Sequence, residues 1–410
     1  MNDAQHTGMS ARAEDVGLST ERLARIDGWM DQWVDSGRLP CAQVRVMRHG
    51  QIVYARECGH ADIARGARVA ADTMFRIYSM TKPLTSTAIM MLYEEGRFQL
   101  DDPISRFLPH FANMRVYTGG SRGKFDSVPA VRDITFRDLL THTSGLTYGF
   151  MQAHPVDGMY LDTGVDFQSA DATLGQVVER LAKLPLIAQP GEAWNYSVAT
   201  DVLGHLVEVI SGQNFGDFLR ERVIGPLGMT DTDFYVPTEK LGRFAANYAL
   251  GGDGALMQVD DPLDSRYGTK RELCSGGGGL VSTSADYLRF CRMMLGQGAF
   301  EGTQLLGRKT VELMTANHLR GDMAAMGQAR FSESSYEGVG FGLGFSVTLD
   351  PARAQLLGSA GEYAWGGAAS TAFWIDPVED MAVVLMTQLS PSSTYPIRRE
   401  LRVLTYQALV

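Results

Sequence analysis

Apolar positions along the chain switch between a helical and a strand period. Over residues 19–33, Leu23, Ile26, Trp29, Met30 and Trp33 recur at three- and four-residue spacing. That predicts an amphipathic helix with Ser19 or Thr20 as its cap and Glu21 in the first turn. Residues 42–57 predict two strands around a two-residue turn at His49-Gly50. An apolar helix is expected over 79–95, stopped by Gly96. Further helices are expected near 135–141, 173–184, 199–211 and 214–223, and 236–272 are expected to be irregular. A glycine-rich run, Ser275 to Leu280, leads into a helix over 284–295, and another helix is expected near 308–318. Strands then return: 342–349 with 354–358, and 368–375 with 381–387 around Asp376-Pro377. A last helix is expected over 395–409.

Strands at both ends with helices and loops between them predict an α+β fold. One antiparallel sheet domain would be built from 18–95 and 270–410. A mainly helical domain with long loops would occupy 96–269, after a loose lead-in over 1–17. A cleft between two such lobes is where a small-molecule site is expected.

Composition narrows the partners. The 410 residues carry a net charge of −10, with 20% charged and 45% hydrophobic residues. That is the balance of a globular protein, and without a basic tract it argues against nucleic acid. No apolar run reaches the ~20 residues of a membrane span, and residues 1–14 lack the apolar core of a secretory leader, so the expected compartment is the cytoplasm. Oligomeric state is left open, a homo-oligomer included. Glycine, 45 residues, is in excess and should mark tight turns and close backbone approaches.

The four cysteines, Cys41, Cys58, Cys274 and Cys291, have no zinc spacing. In the register set by a His49-Gly50 turn, Cys41 and Cys58 fall opposite each other, near enough for a disulfide. A reduced pair in a reducing compartment is the favoured reading.

Three segments carry candidate chemistry. Ser79-Met80-Thr81-Lys82 places a hydroxyl and an ammonium three residues apart on one helix face, at the positive end of the helix dipole. A neighbouring ammonium favours the alkoxide, and a desolvated lysine can itself take a proton. The plain alternative is a capping serine followed by a surface lysine. Tyr196-Ser197 follows the Gln189-Pro190-Gly191-Glu192 turn, and a tyrosine beside a lysine is a candidate base. Taken alone it reads as structural. Trp365-Gly366-Gly367-Ala368 would let a substrate lie along a strand edge beneath a free N–H, though taken alone it reads as a turn glycine pair beside a core tryptophan. Other features read as decoys. Gly119-Gly120-Ser121-Arg122-Gly123 fits G-x-S-x-G but lies in a polar loop rather than between a buried strand and a helix. Gly276 to Gly279 lack the ending of a phosphate loop. His142 and His318 read as structural. Met90-Met91 and Met293-Met294 read as packing.

The order and separation of these segments resemble the serine β-lactamase and penicillin-binding superfamily. Leu140-Thr141-His142-Thr143-Ser144-Gly145-Leu146 between the first two, and Gly278-Gly279-Leu280-Val281-Ser282-Thr283 before the third, strengthen the likeness. The chain is most similar to class C β-lactamases and to the family VIII carboxylesterases that share their fold, from about residue 20 to 405. The resemblance implies a class C β-lactamase-like architecture with no cofactor and no metal. Ser79 would be the nucleophile, Lys82 its activating partner and Tyr196 the proton shuttle. The backbone N–H groups of Ser79 and Ala368 would form the oxyanion hole. Trp365, Gly366 and Gly367 would line the substrate site. The stretch that follows Leu146, with Tyr148, Phe150, Met151 and Tyr160, either lines the acyl pocket or is a plain lobe-surface loop. Two departures matter. Tyr196-Ser197-Val198 lacks the asparagine of the class C Tyr-x-Asn, and Trp365-Gly366-Gly367 stands where Lys-Thr-Gly is usual. Both weaken β-lactam turnover and suit an uncharged ester. The expected activity is a carboxylesterase acting on small, largely apolar esters. The same site could instead serve a β-lactamase, a peptidase or amidase, or an acyltransferase, and an idle scaffold is the reading from another class.

Overall fold

The computed structural model describes residues 9–167, 172–327 and 335–410. Its centre is an eight-stranded sheet in the order Val339–Phe341, Ser346–Thr348, Tyr363–Gly366, Ala372–Asp376, Met381–Met386, Cys41–Arg48, Gln51–Asp62, Ala67–Arg68. Every neighbouring pair is antiparallel. The two ends of the chain join where Cys41–Arg48 pairs with Met381–Met386, Val44 opposite Leu385 and Val46 opposite Val383.

Strand alternation gives the sheet two faces, each with its own core. On one face Val44, Val46, Val383 and Leu385 pack with Ile26, Trp29 and Trp33 of the helix Arg25–Asp35 and with Leu401 of the helix Ile397–Tyr406. Residues expected as a loose lead-in dock on this side: the Ser10 N–H donates to the Ile52 carbonyl at 2.8 Å, and Ala13 and Val16 are buried. Residues 1–8 lie outside the described residues. On the other face Phe373, Val384 and Met386 meet Tyr287, Phe290 and Met294 of the helix Ser284–Leu295. That core runs on through the helix Thr81–Glu94 into Val202, Leu203 and Leu206 of the helix Ala199–Ser211.

Thr81–Glu94 is therefore buried between the sheet and the helical segments, with twelve of its fourteen residues buried. Gly96, at φ 72°, ends its last turn as expected.

The hairpin turn forms at His49-Gly50, both at positive φ, yet the cysteines do not face each other. A bulge at Val46/Met47 leaves Val53 unpaired and shifts the register by one. Cys58 then sits opposite Ala42, and Cys41 opposite Gly59. A one-residue shift reverses faces, so Cys41 enters one core and Cys58 the other. All four thiols are free and buried.

Other expectations also change. The pairing of 342–349 with 354–358 does not form. The Gly342 N–H donates to the Phe345 carbonyl in a tight turn, and Ser346–Thr348 pairs with Val339–Phe341 and Tyr363–Gly366. Asp350 instead caps a short helix, Pro351–Ala354, with proline in its first turn. Trp365 and Gly366 end one strand, and the next begins at Ala372 rather than 368. The irregular 236–272 holds a hairpin, Asn247–Leu250 with Leu256–Asp260, extended by Leu389–Ser390 in parallel. Gly119 to Gly123 form a hairpin end between Arg115–Ser121 and Lys124–Pro129 rather than a loop. No helix among the described residues is long and apolar enough to cross a membrane.

Burial pushes the Cys41 thiol up to about 12 and the Cys58 thiol up to about 11, so neither is reactive in the folded chain. A thiol reagent added without reductant should titrate all four cysteines after unfolding and almost none before. Two thiols after unfolding would contradict the register.

Candidate active site

Ser79 lies in a single 3-10 turn, Tyr78–Met80, that opens the buried helix Thr81–Glu94. Tyr78 takes φ 43°, a left-handed conformation that costs energy in a residue with a side chain and turns the chain sharply just before the serine. Lys82 follows one helical turn later, so the i, i+3 spacing sets its ammonium against the serine. Lys82 is 1% exposed. Its Nζ donates to Ser79 Oγ at 3.3 Å, to the Tyr148 hydroxyl oxygen at 2.9 Å and to the Gly277 carbonyl at 2.6 Å. An ammonium has three protons, and each has an acceptor.

Tyr196 arrives from the other side of the cleft, and its hydroxyl donates to Ser79 Oγ at 2.6 Å. The segment that carries it is pinned to the Leu140–Leu146 stretch. Asn195 N–H donates to the His142 carbonyl at 2.9 Å, and Asn195 Nδ2 to the Leu146 carbonyl at 2.9 Å. His142 itself is structural: its Nδ1 lies 3.1 Å from Ser197 Oγ, and its ring sits 5.0 Å from that of Tyr196. Burial, reinforced by the nearby Lys82 charge, holds it well below the usual histidine range, hence neutral. His318 is tied at Nε2 to the Leu313 carbonyl, away from this cluster.

Trp365 forms a wall, its ring 5.4 Å from that of Tyr196 and its Nε1 donating to the Tyr196 hydroxyl oxygen at 3.4 Å. The two glycines after it lie in close approach to their neighbours, and at Gly367 the neighbour is backbone. A Cβ on Gly366 would lie 2.6 Å from Arg398 Cζ, and one on Gly367 would strike the Ile77 carbonyl and Thr371 Oγ1. The turn holding Ala368 is thus pressed against the chain just before Ser79. That turn is closed by Gly367 N–H to Thr371 O at 2.9 Å and Ser370 N–H to Gly367 O at 3.1 Å, neither of which uses the Ala368 N–H.

Two expected lining residues fall differently from each other. Phe150 is 61% exposed at the mouth, stacked on Tyr148 with 4.7 Å between centroids. Tyr148 is a wall residue only in part, since its hydroxyl also holds Lys82. Burial and the neighbouring Tyr196 and Asp201 push that hydroxyl well above the usual tyrosine range, so it stays protonated. Ser79, Tyr148, Tyr196, Trp365 and Ala368 all line one cavity of about 920 Å3.

Sequence reasoning missed Gly277 and its support. The turn over 275–279 lies between Thr85, whose Oγ1 donates to the Gly276 carbonyl at 2.8 Å, and the buried Asp201. The glycine run was the signal, because at two of its positions a Cβ does not fit: on Gly277 it would meet Asp201 Oδ2, and on Gly276 it would lie 2.6 Å from the Thr200 carbonyl. Among the described residues no group of three or more His, Cys, Asp and Glu is placed to hold a metal ion.

Comparison with known proteins gives the family. Residues 26–407 match the Beta-lactamase family model. Protein Rv1367c of Mycobacterium tuberculosis is 38% identical over 362 residues, 87% of this chain and 88% of its own length. Esterase EstB of Burkholderia gladioli is 33% identical over 380 residues, 89% of this chain and 90% of its own. The solved structure of EstCE1, described as a hydrolase with promiscuous acyltransferase activity, superposes with a TM-score of 0.80 at 28% identity, covering 94% of this chain and 99% of its own. The chain belongs to the beta-lactamase family, among the serine hydrolases of the β-lactamase and penicillin-binding superfamily.

Proposed function

We propose that the protein is a carboxylesterase that cleaves small, largely apolar esters through an acyl-enzyme on Ser79. The observation that carries this reading is the Ser79 hydroxyl held between Tyr196 and Lys82 at the wall formed by Trp365. With its hydroxyl proton turned from Ser79 Oγ toward the ester's leaving oxygen, Tyr196 presents its oxygen, 2.6 Å away, to take the serine proton as Oγ attacks the ester carbonyl, and gives its own phenolic proton to the departing alkoxide. The Lys82 ammonium stabilises the negative charge that develops on Oγ. The carbonyl oxygen would be received by the backbone N–H groups of Ser79, unpartnered at a helix start, and Ala368. Water then attacks the acyl group, giving a proton to Tyr196 as Ser79 recovers its own, and the acid leaves.

Trp365 supports the choice of substrate. It replaces the cation of Lys-Thr-Gly with an apolar ring, which suits an uncharged ester better than a carboxylate-bearing β-lactam. Val198 likewise offers no amide to an acylamino side chain. Acyl transfer is a second reading favoured by the likeness to EstCE1: an alcohol in place of water at the acyl-enzyme would yield a new ester.

Three outcomes are expected. p-Nitrophenyl butyrate should be turned over faster than a chromogenic cephalosporin, and Ser79→Ala should abolish ester turnover. Activity that survives Ser79→Ala would sink the mechanism, and equal rates on the two substrates would overturn the ester assignment. Tyr196→Phe should lower kcat roughly 100-fold or more, the scale of a lost general acid–base, with an unchanged circular dichroism spectrum. Gly367→Ala should slow acylation at least tenfold and lower stability by about 1–3 kcal/mol, the usual cost of overpacking, both read from labelling kinetics and thermal melting.

A further inference from the structure

Asp201 plays no part in the scheme above, yet it is 1% exposed and lies one helical turn from the chain that carries Tyr196. A buried carboxylate with no role is costly, so its partners are informative. Asp201 Oδ1 accepts from Ser275 Oγ at 2.6 Å and from the Gly277 N–H at 2.9 Å. Ser275 Oγ in turn accepts from the Gly278 N–H at 3.1 Å. That N–H belongs to the same peptide unit as the Gly277 carbonyl, which accepts from Lys82 Nζ at 2.6 Å. The chain therefore runs ammonium to carbonyl, across one peptide to its N–H, to a hydroxyl, to a carboxylate. Every dipole in it points the same way, with a positive charge at one end and a negative charge at the other. Bonds arranged in such a series polarise one another.

We infer that Asp201 is a positioning residue for Lys82, acting through Ser275 and the Gly277-Gly278 peptide as the counter-charge of the buried ammonium. The inference rests on Ser79, Lys82 and Tyr196 forming the reactive site proposed above. Burial pushes the Asp201 carboxyl up, while Lys82 and the bonds from Ser275 and Gly277 oppose that shift. The glycine at 277 follows from the same contact, since a Cβ would collide with the carboxylate. Direct contact between Lys82 and Asp201 would draw the ammonium away from Ser79. With a peptide interposed, the charge is balanced at a distance and the third proton stays on the nucleophile.

The test reads Ser79 reactivity without assuming a substrate: the maximal rate, kinact, and the half-saturating concentration, KI, for labelling of the full chain by a fluorophosphonate probe. Asp201→Asn should lower kinact roughly 10- to 100-fold, the scale of a lost hydrogen bond to a charged group, with KI within about twofold. Ser275→Ala should lower kinact in the same way, and Ser275→Thr, which keeps the hydroxyl, should recover most of the rate. The double variant Asp201→Asn/Ser275→Ala should be no slower than Asp201→Asn alone, because both cut one chain. A wild-type kinact in Ser275→Ala, additive losses in the double variant, or a loss confined to KI would overturn the inference. If Asp201→Asn does not fold, the Ala and Thr variants of Ser275 decide it alone. A wild-type chain that is labelled but hydrolyses no ester overturns only the ester assignment. A wild-type chain that is not labelled removes the nucleophile and this inference together.

Discussion

A single buried ammonium sets the terms for the rest of the site. Placing Lys82 in the interior is unfavourable unless each of its protons meets an acceptor. The three acceptors come from three distant stretches of chain: Ser79, Tyr148 and Gly277. Satisfying the lysine therefore fixes the first turn of the buried helix, the segment after the Leu140–Leu146 stretch, and the glycine turn that follows residue 275. The geometry of Ser79 is thus a by-product of solving an electrostatic problem one hydrogen bond away. The cost is visible in the backbone, where Tyr78 is held at φ 43° next to the serine.

Close approach is the second constraint, and it accounts for the glycines that matter. At Gly366 and Gly367 the strand end must pass Arg398 and the Ile77 carbonyl. At Gly276 and Gly277 the turn must pass the Thr200 carbonyl and Asp201. At Gly276 and Gly367 the neighbour is backbone and at Gly277 a buried carboxylate, none of which can simply rotate away, whereas at Gly366 it is the hydrogen-bonded guanidinium of Arg398. The glycine excess therefore has a local cause at the site: one backbone segment passes the Ile77 carbonyl just before the helix start and another passes Thr200 and Asp201, with no room for a side chain at Gly367, Gly276 or Gly277.

What the sequence made legible follows the range over which each signal acts. Ser79 and Lys82 were readable because a three-residue spacing on one helix is a local fact. The buried helix and its stop at Gly96 were readable for the same reason. The strand ends were not, because pairing is decided by distant partners: the bulge at Val53 separated Cys41 from Cys58, and a helix, Pro351–Ala354, formed between the two segments expected to pair. The hairpin Asn247–Leu250 with Leu256–Asp260 is completed by Leu389–Ser390, over a hundred residues away, and no local pattern announces that. Gly276 to Gly279 looked like loop because a glycine run identifies no neighbour. Only the fold shows which carbonyl it offers and to what.

The distribution of charge around the cleft then separates binding from reactivity. The cation that drives the chemistry is sealed beneath the site, with Tyr148 and Tyr196 over it: its Nζ lies 5.3 Å and 4.6 Å from their ring centroids. Such contacts stabilise a cation without offering it to an incoming anion. Trp365 adds a third ring beside Tyr196, and the Arg398 guanidinium, which lines the same cavity, is held on the carbonyls of Gly367 and Thr371. A ligand in the cleft thus feels the Lys82 ammonium mainly through the serine oxygen it is about to react with. An arrangement of this kind rewards charge that appears only as the bond to Ser79 forms, rather than charge the ligand already carries, and that is the condition under which binding energy accelerates a reaction instead of merely holding a substrate.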